Sequence, residues 1–261
     1  MTDDKVENNT NEHNWRPATN LVRGGTNRSN FGETNEGIFM TSGYVYDTAE
    51  QAQRSFQGEE ERFIYSRFSN PTVGMFEDRM ALLENAASCR ATATGMAAVY
   101  AALASSLKAG ERLVSSKALF GSCDYICRDL LPKFGIESTM VDGTNLDEWE
   151  AALSEPTAVV FMETPSNPQL DIINLPAVAE MAHAVGARVI VDNVLATPIS
   201  QRPLELGADV VVYSSTKHID GQGRALGGCV LTDDVEWADG NLKQFLRHTG
   251  PSMSPFNAWV H

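Results

Sequence analysis

The sequence predicts an α/β fold in which a mostly parallel β-sheet is covered by helices. Short runs of β-branched and apolar residues, typical of buried strands, recur along the chain. Segments with helical spacing separate most of these runs, and such alternation favours parallel strands joined by helical crossovers. The predicted strands lie near Ala91 and at residues 113–114, 138–141, 158–161, 189–191, 210–212 and 228–231.

Composition divides the chain into four predicted segments. Residues 1–19 are polar and rich in Asn, Asp and Glu, so they bury too little apolar area to offset the entropy of ordering, and we predict a disordered tail. Residues 20–70 form an arm with few periodic apolar positions. Residues 71–250 form the large domain, which opens with an amphipathic helix. Residues 251–261 are predicted to be the start of a linker helix, without a stop signal.

Charge and cysteine content exclude several classes of function. The 34 acidic and 20 basic residues give a net charge of −14, which argues against nucleic acid and anionic membranes as partners. No apolar run approaches the ~18 residues needed to span a bilayer, and the first residues lack a signal-peptide pattern, so we expect a cytoplasmic protein. The cysteines form no Cys-x-x-Cys pair, which favours reduced core thiols over disulfides, and no metal is expected. They are Cys89, Cys123, Cys127 and Cys229.

One lysine follows the apolar strand at residues 210–212. The segment Ser214-Ser215-Thr216-Lys217 carries it from the strand end into a glycine-rich loop. A lysine presented in this way can bond to a carbonyl, and enzymes that use pyridoxal 5'-phosphate (PLP) are the main users of this chemistry. Ser214 and Thr216 flank the lysine and could bind the cofactor phosphate. A solvated surface lysine is the alternative.

Two further positions follow predicted strands. Asp192 ends the β-branched strand at 187–191, and ligands of open α/β sheets bind beyond the carboxyl ends of the strands. A turn or helix cap is the alternative for an isolated aspartate. Gly95 and Met96 begin an alanine-rich helix predicted to extend to about Lys108, and the amino end of a helix favours an anion. An ordinary strand-to-helix turn is the alternative there.

Five motifs in order resemble the γ-subfamily of PLP enzymes of cysteine and methionine metabolism. That family includes cystathionine synthases and lyases, methionine lyase and homoserine-ester sulfhydrylases. The resemblance covers roughly residues 20 to 250 and implies the PLP-dependent transferase fold type I, with a PLP-binding large domain. The motifs are Tyr65-Ser66-Arg67-Phe68-Ser69-Asn70-Pro71-Thr72, Thr94-Gly95-Met96, Glu163-Thr164-Pro165-Ser166-Asn167-Pro168, Asp192-Asn193 and Ser214-Ser215-Thr216-Lys217.

The resemblance implies a role for each matching residue near the cofactor. Lys217 bonds to the PLP aldehyde and serves as the proton shuttle, and Asp192 pairs with the pyridinium nitrogen, so these two are the expected catalytic residues. Phe120 stands where most of the family has a tyrosine stacked on the cofactor ring, and Asn167 matches a residue near the phenolic oxygen of the ring. The implied phosphate-binding groups are Ser214, Thr216 and the amides of Gly95 and Met96.

The arm carries two residues that the resemblance assigns to another subunit. Tyr65 and Arg67 match residues that reach the phosphate of a neighbouring chain, and an arginine presents a fixed fork of donors to such a group. The resemblance therefore implies a homo-oligomer with shared active sites, a homotetramer built as a dimer of dimers.

Departures from the family pattern favour one branch. Three features are similar to the O-succinylhomoserine sulfhydrylases. They are Phe120, the loop Asp220-Gly221-Gln222-Gly223-Arg224 and the segment Asp192-Asn193-Val194-Leu195-Ala196-Thr197-Pro198. That resemblance implies a γ-replacement in methionine biosynthesis, in which O-succinylhomoserine and sulfide give homocysteine. Three alternatives remain open: a cystathionine γ-synthase, a methionine or cystathionine γ-lyase, and a non-catalytic PLP-binding fragment. The sequence also leaves open whether the ester is succinyl or acetyl and whether the thiol donor is sulfide or cysteine.

Length is the main departure. The chain ends at His261, and we expect that the carboxyl-terminal small domain of the family is missing. In the family that domain carries the arginine that binds the substrate carboxylate. No residue of this chain is therefore assigned to that role, and the chain is expected to be a fragment.

Overall fold

The computed structural model describes residues 15–261 and contains one seven-stranded β-sheet. Its order is β1-β7-β6-β5-β4-β2-β3. All neighbours from β3 to β6 are parallel, whereas β7 is antiparallel to both β1 and β6. The predicted, mostly parallel sheet is confirmed. The strands are β1 (Ser88–Thr92), β2 (Arg112–Ser116), β3 (Glu137–Val141), β4 (Val159–Glu163), β5 (Arg188–Asp192), β6 (Val210–Tyr213) and β7 (Gly228–Thr232).

Helices connect most of the strands. The α-helices of the described residues are α1 (Pro17–Arg23), α2 (Ala49–Gln57), α3 (Pro71–Glu84), α4 (Gly95–Ser106), α5 (Gly121–Tyr125), α6 (Leu146–Ala152), α7 (Leu175–Ala184), α8 (Thr197–Ser200), α9 (Val235–Trp237), α10 (Lys243–Thr249) and α11 (Pro255–Val260). Short π-helical turns cover Ile126–Leu130 and Ala238–Leu242, and 3₁₀ turns cover Leu131–Phe134 and Pro203–Leu206.

Two apolar layers hold the helices against the sheet. Successive side chains of a strand point to opposite faces. Along β5, Val189 and Val191 pack in one layer with Trp149 of α6, and Ile190 packs in the other layer with Leu103 of α4. All five side chains are fully buried. Helices therefore cover both faces, as the apolar strand sequences predict.

The amino-terminal segment differs in part from the prediction. Residues 1–14 of the predicted disordered tail lie outside the described residues. Helix α1 begins at Pro17, so residues 17–19 are helical and their assignment to the tail is wrong. A proline suits the first helical position because its missing N–H has no partner there. The segment is also held from outside, since Arg79 of α3 donates to the Gly24 carbonyl at 3.0 Å.

The arm has little core of its own. Between α1 and α3 it contains α2 and one antiparallel bridge from Gly43 to Tyr65. The hydroxyl of Thr72 accepts a hydrogen bond from the Phe39 amide at 2.9 Å, which fixes the arm to the start of α3. Several large apolar side chains of the arm are exposed to solvent in the single chain. They are Phe31, Met40, Val45 and Phe56.

The cysteines are core residues. All four are buried and free, as predicted. Burial raises the pKa of the Cys127 thiol to about 12, and a thiol that stays protonated is a poor nucleophile and metal ligand. Among the helices of residues 15–261, none is both long enough and apolar enough to cross a bilayer.

Candidate cofactor site

Two carboxylates and a lysine-bearing turn meet at one edge of the sheet. Glu163, the last residue of β4, is in register with Asp192, the last residue of β5. Asp192 is in turn in register with Val212, near the end of β6. Parallel strands bring their carboxyl ends to the same edge, where open α/β sheets bind ligands.

Lys217 lies in the turn that follows β6. The turn is closed by backbone hydrogen bonds from the Lys217 amide to the Ser214 carbonyl at 3.2 Å and from the Asp220 amide to the Ser215 carbonyl at 2.9 Å. The Lys217 side chain is exposed. Its amine is therefore accessible at the sheet edge, as its predicted bond to an aldehyde requires.

The amino end of α4 packs directly against the start of this turn. Thr94 caps the helix by accepting a hydrogen bond from the Ala97 amide at 3.1 Å. Gly95, the first helical residue, approaches Ser214 so closely that a Cβ at Gly95 would lie 2.3 Å from Ser214 Cβ. The structure thus brings Gly95, Met96 and Ser214 together, and unpaired helix amides suit a phosphate there.

The two hydroxyls that flank Lys217 differ in their partners. The Thr216 hydroxyl donates to the Gly227 carbonyl at 3.2 Å and accepts from the Gly227 amide at 3.0 Å. A hydroxyl has one proton to donate, so this arrangement occupies the donor of Thr216. The Ser214 hydroxyl makes no hydrogen bond with the described residues and remains available to an anion.

Asp192 is a buried carboxylate that forms no ion pair within residues 15–261. Only 7% of its surface is exposed, and its Oδ1 accepts a hydrogen bond from the Val194 amide at 3.1 Å. Burial raises the pKa of Asp192 to about 6 because it penalises the charged form. A cationic ring nitrogen would supply the missing counter-charge, so this environment fits the predicted pairing with a pyridinium.

Phe120 lies at the start of α5 with 43% of its surface exposed. Its amide donates a hydrogen bond to Glu163 Oε2 at 2.6 Å, which ties the Phe120 segment to the end of β4. Asn167 is half-buried in the turn after β4. The ring contacts predicted for Phe120 and Asn167 stay predictions.

Tyr65 and Arg67 lie together in the arm. The Arg67 guanidinium lies 5.2 Å from the ring centroid of Tyr65 and 5.0 Å from that of Phe68, and it donates to the Arg247 carbonyl. These partners do not belong to the Gly95 and Ser214 cluster of the same chain. A role at the phosphate of another chain stays a prediction.

A buried polar network behind the site was not predicted. Asn193 Nδ2 donates to the Tyr213 hydroxyl at 2.7 Å, and that hydroxyl donates to the Glu84 carboxylate. Gln201 Nε2 donates to Asn193 Oδ1 at 2.8 Å and to the Thr164 carbonyl at 2.9 Å. The network links the ends of β4, β5 and β6 to α3. Nothing in the spacing of these residues along the sequence indicates that they meet.

Because the Glu84 carboxyl is buried, we expect the free energy of unfolding to fall as the pH rises. Burial raises its pKa to about 7 from the ordinary 4.5. Between these values the folded chain keeps a proton that the unfolded chain has lost, so the free energy of unfolding decreases with pH by up to about 1.4 kcal/mol per unit for one group. In Glu84→Gln this titration is absent, and urea unfolding between pH 4.5 and 7.5 is expected to give a weaker pH dependence. The exposed Glu180→Gln serves as control, and equal slopes in Glu84→Gln and the unchanged chain would contradict the prediction.

Comparisons with known proteins identify the family. Residues 18–261 match the family described as Cys/Met metabolism PLP-dependent enzyme. An O-succinylhomoserine sulfhydrylase from Mycobacterium tuberculosis is 55% identical over 93% of this chain and 60% of that protein. An L-methionine gamma-lyase from Porphyromonas gingivalis is 38% identical over 93% of this chain and 61% of that protein. The chain therefore spans about 60% of the length of the curated relatives it matches.

Solved structures agree with this assignment. A cystathionine gamma synthase from Xanthomonas oryzae pv. oryzae, in complex with aminoacrylate and cysteine, has a TM-score of 0.88 and 32% identity, covering 95% of this chain and 62% of that one. The metY protein of Campylobacter jejuni, with N'-pyridoxyl-lysine-5'-monophosphate, has a TM-score of 0.87 and 29% identity, covering 95% and 69%. The predicted fold type I and the predicted cofactor are confirmed. This chain belongs to the PLP-dependent enzymes of cysteine and methionine metabolism.

Proposed function

We propose that this chain is the cofactor-binding part of an enzyme that converts O-succinylhomoserine and sulfide to homocysteine and succinate. The observation that carries the proposal is the meeting of Asp192, the Lys217 turn and the Gly95 end of α4 at one sheet edge. The 55% identity to an O-succinylhomoserine sulfhydrylase supports the substrate and the γ-replacement reaction.

The residues of the site fit PLP. A cationic ring nitrogen complements the buried Asp192 carboxylate. The unpartnered Ser214 hydroxyl and the helix amides at Gly95 and Met96 suit a phosphate, and the absence of a side chain at Gly95 allows this close packing. We assign Ser214, Thr216, Gly95 and Met96 to the phosphate, with the Thr216 hydroxyl first releasing its bond to Gly227.

We assign the chemistry at the substrate to two side chains. PLP, when bound, supplies an electron-withdrawing ring that acidifies the α-proton of an attached amino acid. Asp192 holds a negative charge at the end of β5 and thereby stabilises a proton on the ring nitrogen. Lys217 provides the amine for covalent attachment and afterwards moves the proton at the substrate α-carbon.

The loop after Lys217 supports the choice of a sulfhydrylase. Asp220 is 4% exposed and accepts hydrogen bonds from the Arg224 amide at 2.7 Å and from Arg224 Nε at 3.0 Å. The Arg224 amide is the main cause of a lowered pKa of the Asp220 carboxyl. Arg224 Nη2 also donates to the Val260 carbonyl at 3.1 Å, which fixes the loop to α11. Asp220 and Arg224 belong to the loop whose sequence resembles that of the O-succinylhomoserine sulfhydrylases.

The substrate is tested by supplying a longer protein that contains this chain, and the chain alone, with PLP, sulfide and either O-succinylhomoserine or O-acetylhomoserine. We expect homocysteine and succinate, with the succinyl ester favoured. A γ-lyase is the second candidate, favoured by the 38% identity to an L-methionine gamma-lyase. Release of methanethiol from methionine without homocysteine formation from either ester would support the lyase. Bound PLP with neither reaction would support the alternative of a binding fragment.

Replacing Gly95 with alanine is expected to weaken PLP binding at least tenfold. The new Cβ would lie 2.3 Å from Ser214 Cβ and 2.8 Å from Ser214 Cα, so the amino end of α4 must move away from the turn. Gly74→Ala is the matched control, because Gly74 lies inside α3 and a Cβ added there would point into open space. The dissociation constant is measured by fluorescence titration. If Gly95→Ala and Gly74→Ala bind PLP with equal affinity, Gly95 does not belong to the phosphate site.

We propose that the active site is completed by a second copy of this chain. Tyr65 and Arg67 lie in an arm with little core, and that arm exposes Phe31, Met40, Val45 and Phe56. The partners of Arg67 in its own chain lie outside the Gly95 and Ser214 cluster. Both features support an arm that packs against a neighbour and brings Arg67 to the phosphate there.

Mixing Arg67→Ala chains with Lys217→Ala chains is expected to restore a site that neither variant has alone. In a hybrid dimer, Lys217 of the Arg67→Ala chain meets Arg67 of the other chain. At a low PLP concentration, borohydride reduction should then attach the cofactor to the Arg67→Ala chain, as seen by intact mass. Hybrids that form by mass and yet gain no adduct over Arg67→Ala alone would place Arg67 outside the neighbour's site.

A further inference from the structure

Glu163 is a buried carboxyl of the site with no role assigned so far. It ends β4, is 1% exposed, and lies beside Asp192 in the sheet register. Side chains at matched positions of neighbouring strands point to the same face of a sheet. The two carboxyls therefore share one environment, and no cation among the described residues forms an ion pair with Glu163.

The partner of Glu163 is a backbone amide in another part of the chain. Its Oε2 accepts from the Phe120 amide at 2.6 Å, across 43 positions of sequence. Its Oε1 is buried and makes no hydrogen bond of good geometry with the described residues, and the Asn167 amide nearby lowers the pKa of Glu163 to a smaller extent than the Phe120 amide does. Burial and the neighbouring Asp192 raise the pKa of Glu163 to about 7. A carboxyl retains acceptor capacity in either protonation state, so it can accept the Phe120 bond throughout this range.

The Phe120 position is held differently from its neighbours. Leu119 and Cys123 on either side of it are buried in the apolar layer, and α5 continues directly into the π-helical turn over Ile126–Leu130. Phe120 itself is 43% exposed and is not part of that layer. The bond to Glu163 joins this segment to the rigid central sheet, next to Asp192.

We propose that Glu163 is a positioning residue that holds Phe120 at the cofactor site by accepting its backbone amide. This inference rests on the proposed cofactor site, because the role of the Phe120 ring is to stack on the bound cofactor. Glu163 acts through Phe120. Its loss is expected to free the Phe120 segment first and to weaken cofactor binding as a consequence.

The first test needs no cofactor. Glu163→Gln keeps an acceptor oxygen, whereas Glu163→Leu and Glu163→Met keep similar volume without an acceptor oxygen. Hydrogen exchange of the Phe120 amide in the cofactor-free chain is expected to be at least about tenfold faster in the Leu and Met variants and close to the unchanged chain in the Gln variant. Glu180→Leu, at an exposed position of α7, is the control. Circular dichroism shows which of the Leu and Met variants fold. If the exchange rate of the Phe120 amide is unchanged in a variant that folds, the proposal is overturned.

The second test is a double-mutant cycle with Phe120→Leu, read as PLP affinity and visible circular dichroism of bound PLP. Glu163→Leu is expected to weaken PLP binding about tenfold when Phe120 is present and by less than about twofold in the Phe120→Leu background. Equal losses in both backgrounds would mean that Glu163 does not act through Phe120. If the unchanged chain binds no PLP at all, the proposed function is contradicted. The hydrogen-exchange experiment would still test whether Glu163 holds the Phe120 segment, because it needs no cofactor.

Discussion

Replacing Lys217 with alanine is expected to abolish turnover and the visible absorption of bound PLP. Lys217 lies in the turn after β6 with its side chain exposed, next to the Gly95 and Ser214 cluster. An amine is required both to bond the cofactor aldehyde and to move the substrate proton, so its removal eliminates two functions at once. Measured activity should fall below detection.

The matched control is Lys108→Ala. Lys108 is also an exposed lysine, with 82% of its side chain accessible, and its partner is Glu111. We expect this variant to keep the absorption band and the activity. If Lys217→Ala retains more than trace activity, Lys217 is not the catalytic lysine of the site.

Replacing Asp192 with asparagine is expected to leave PLP attached and to lower kcat by about 100-fold or more. Asparagine preserves the shape of the side chain and its acceptor for the Val194 amide, and removes the charge. Breaking a buried ion pair by removing one partner costs roughly 3–5 kcal/mol, which corresponds to about two to nearly four powers of ten. The effect should therefore appear in kcat, because the ring nitrogen loses the group that keeps it protonated.

Asp147→Asn, at an exposed position of α6, is the control for Asp192→Asn. A steady-state assay with the succinyl ester separates kcat from KM, and the absorption spectrum shows whether PLP is still bound. Unaltered kcat in Asp192→Asn would place the partner of the ring nitrogen elsewhere.

The strands and the positions of Asp192 and Lys217 could be predicted because they depend on local sequence. Runs of β-branched residues such as Val210-Val211-Val212 are typical of buried strands, and a polar residue directly after such a strand lies at the sheet edge. The direction of β7 could not be predicted in this way. Its sequence fits a buried strand of either direction, and its position between β1 and β6 is a property of the whole sheet.

The residues that sequence reasoning missed act through long-range contacts. Glu84 meets Tyr213 across 129 positions, and Glu163 meets the Phe120 amide across 43. Polar residues at such positions carry no periodic signal, because burial of a carboxyl depends on what packs over it. One signal was available for Glu163, since it follows an apolar strand in the same way as Asp192 does. Likewise, helix α1 packs against α3, where Arg79 donates to the Gly24 carbonyl, and composition does not reveal this contact.

The most direct test of the site is to locate the cofactor on the chain. The chain is incubated with PLP, reduced with borohydride, digested and mapped by mass spectrometry. We predict one cofactor-sized adduct per chain, on the peptide that contains Lys217. An adduct confined to another lysine, or no adduct at saturating PLP, would contradict the assignment of Lys217 and with it the proposed cofactor site.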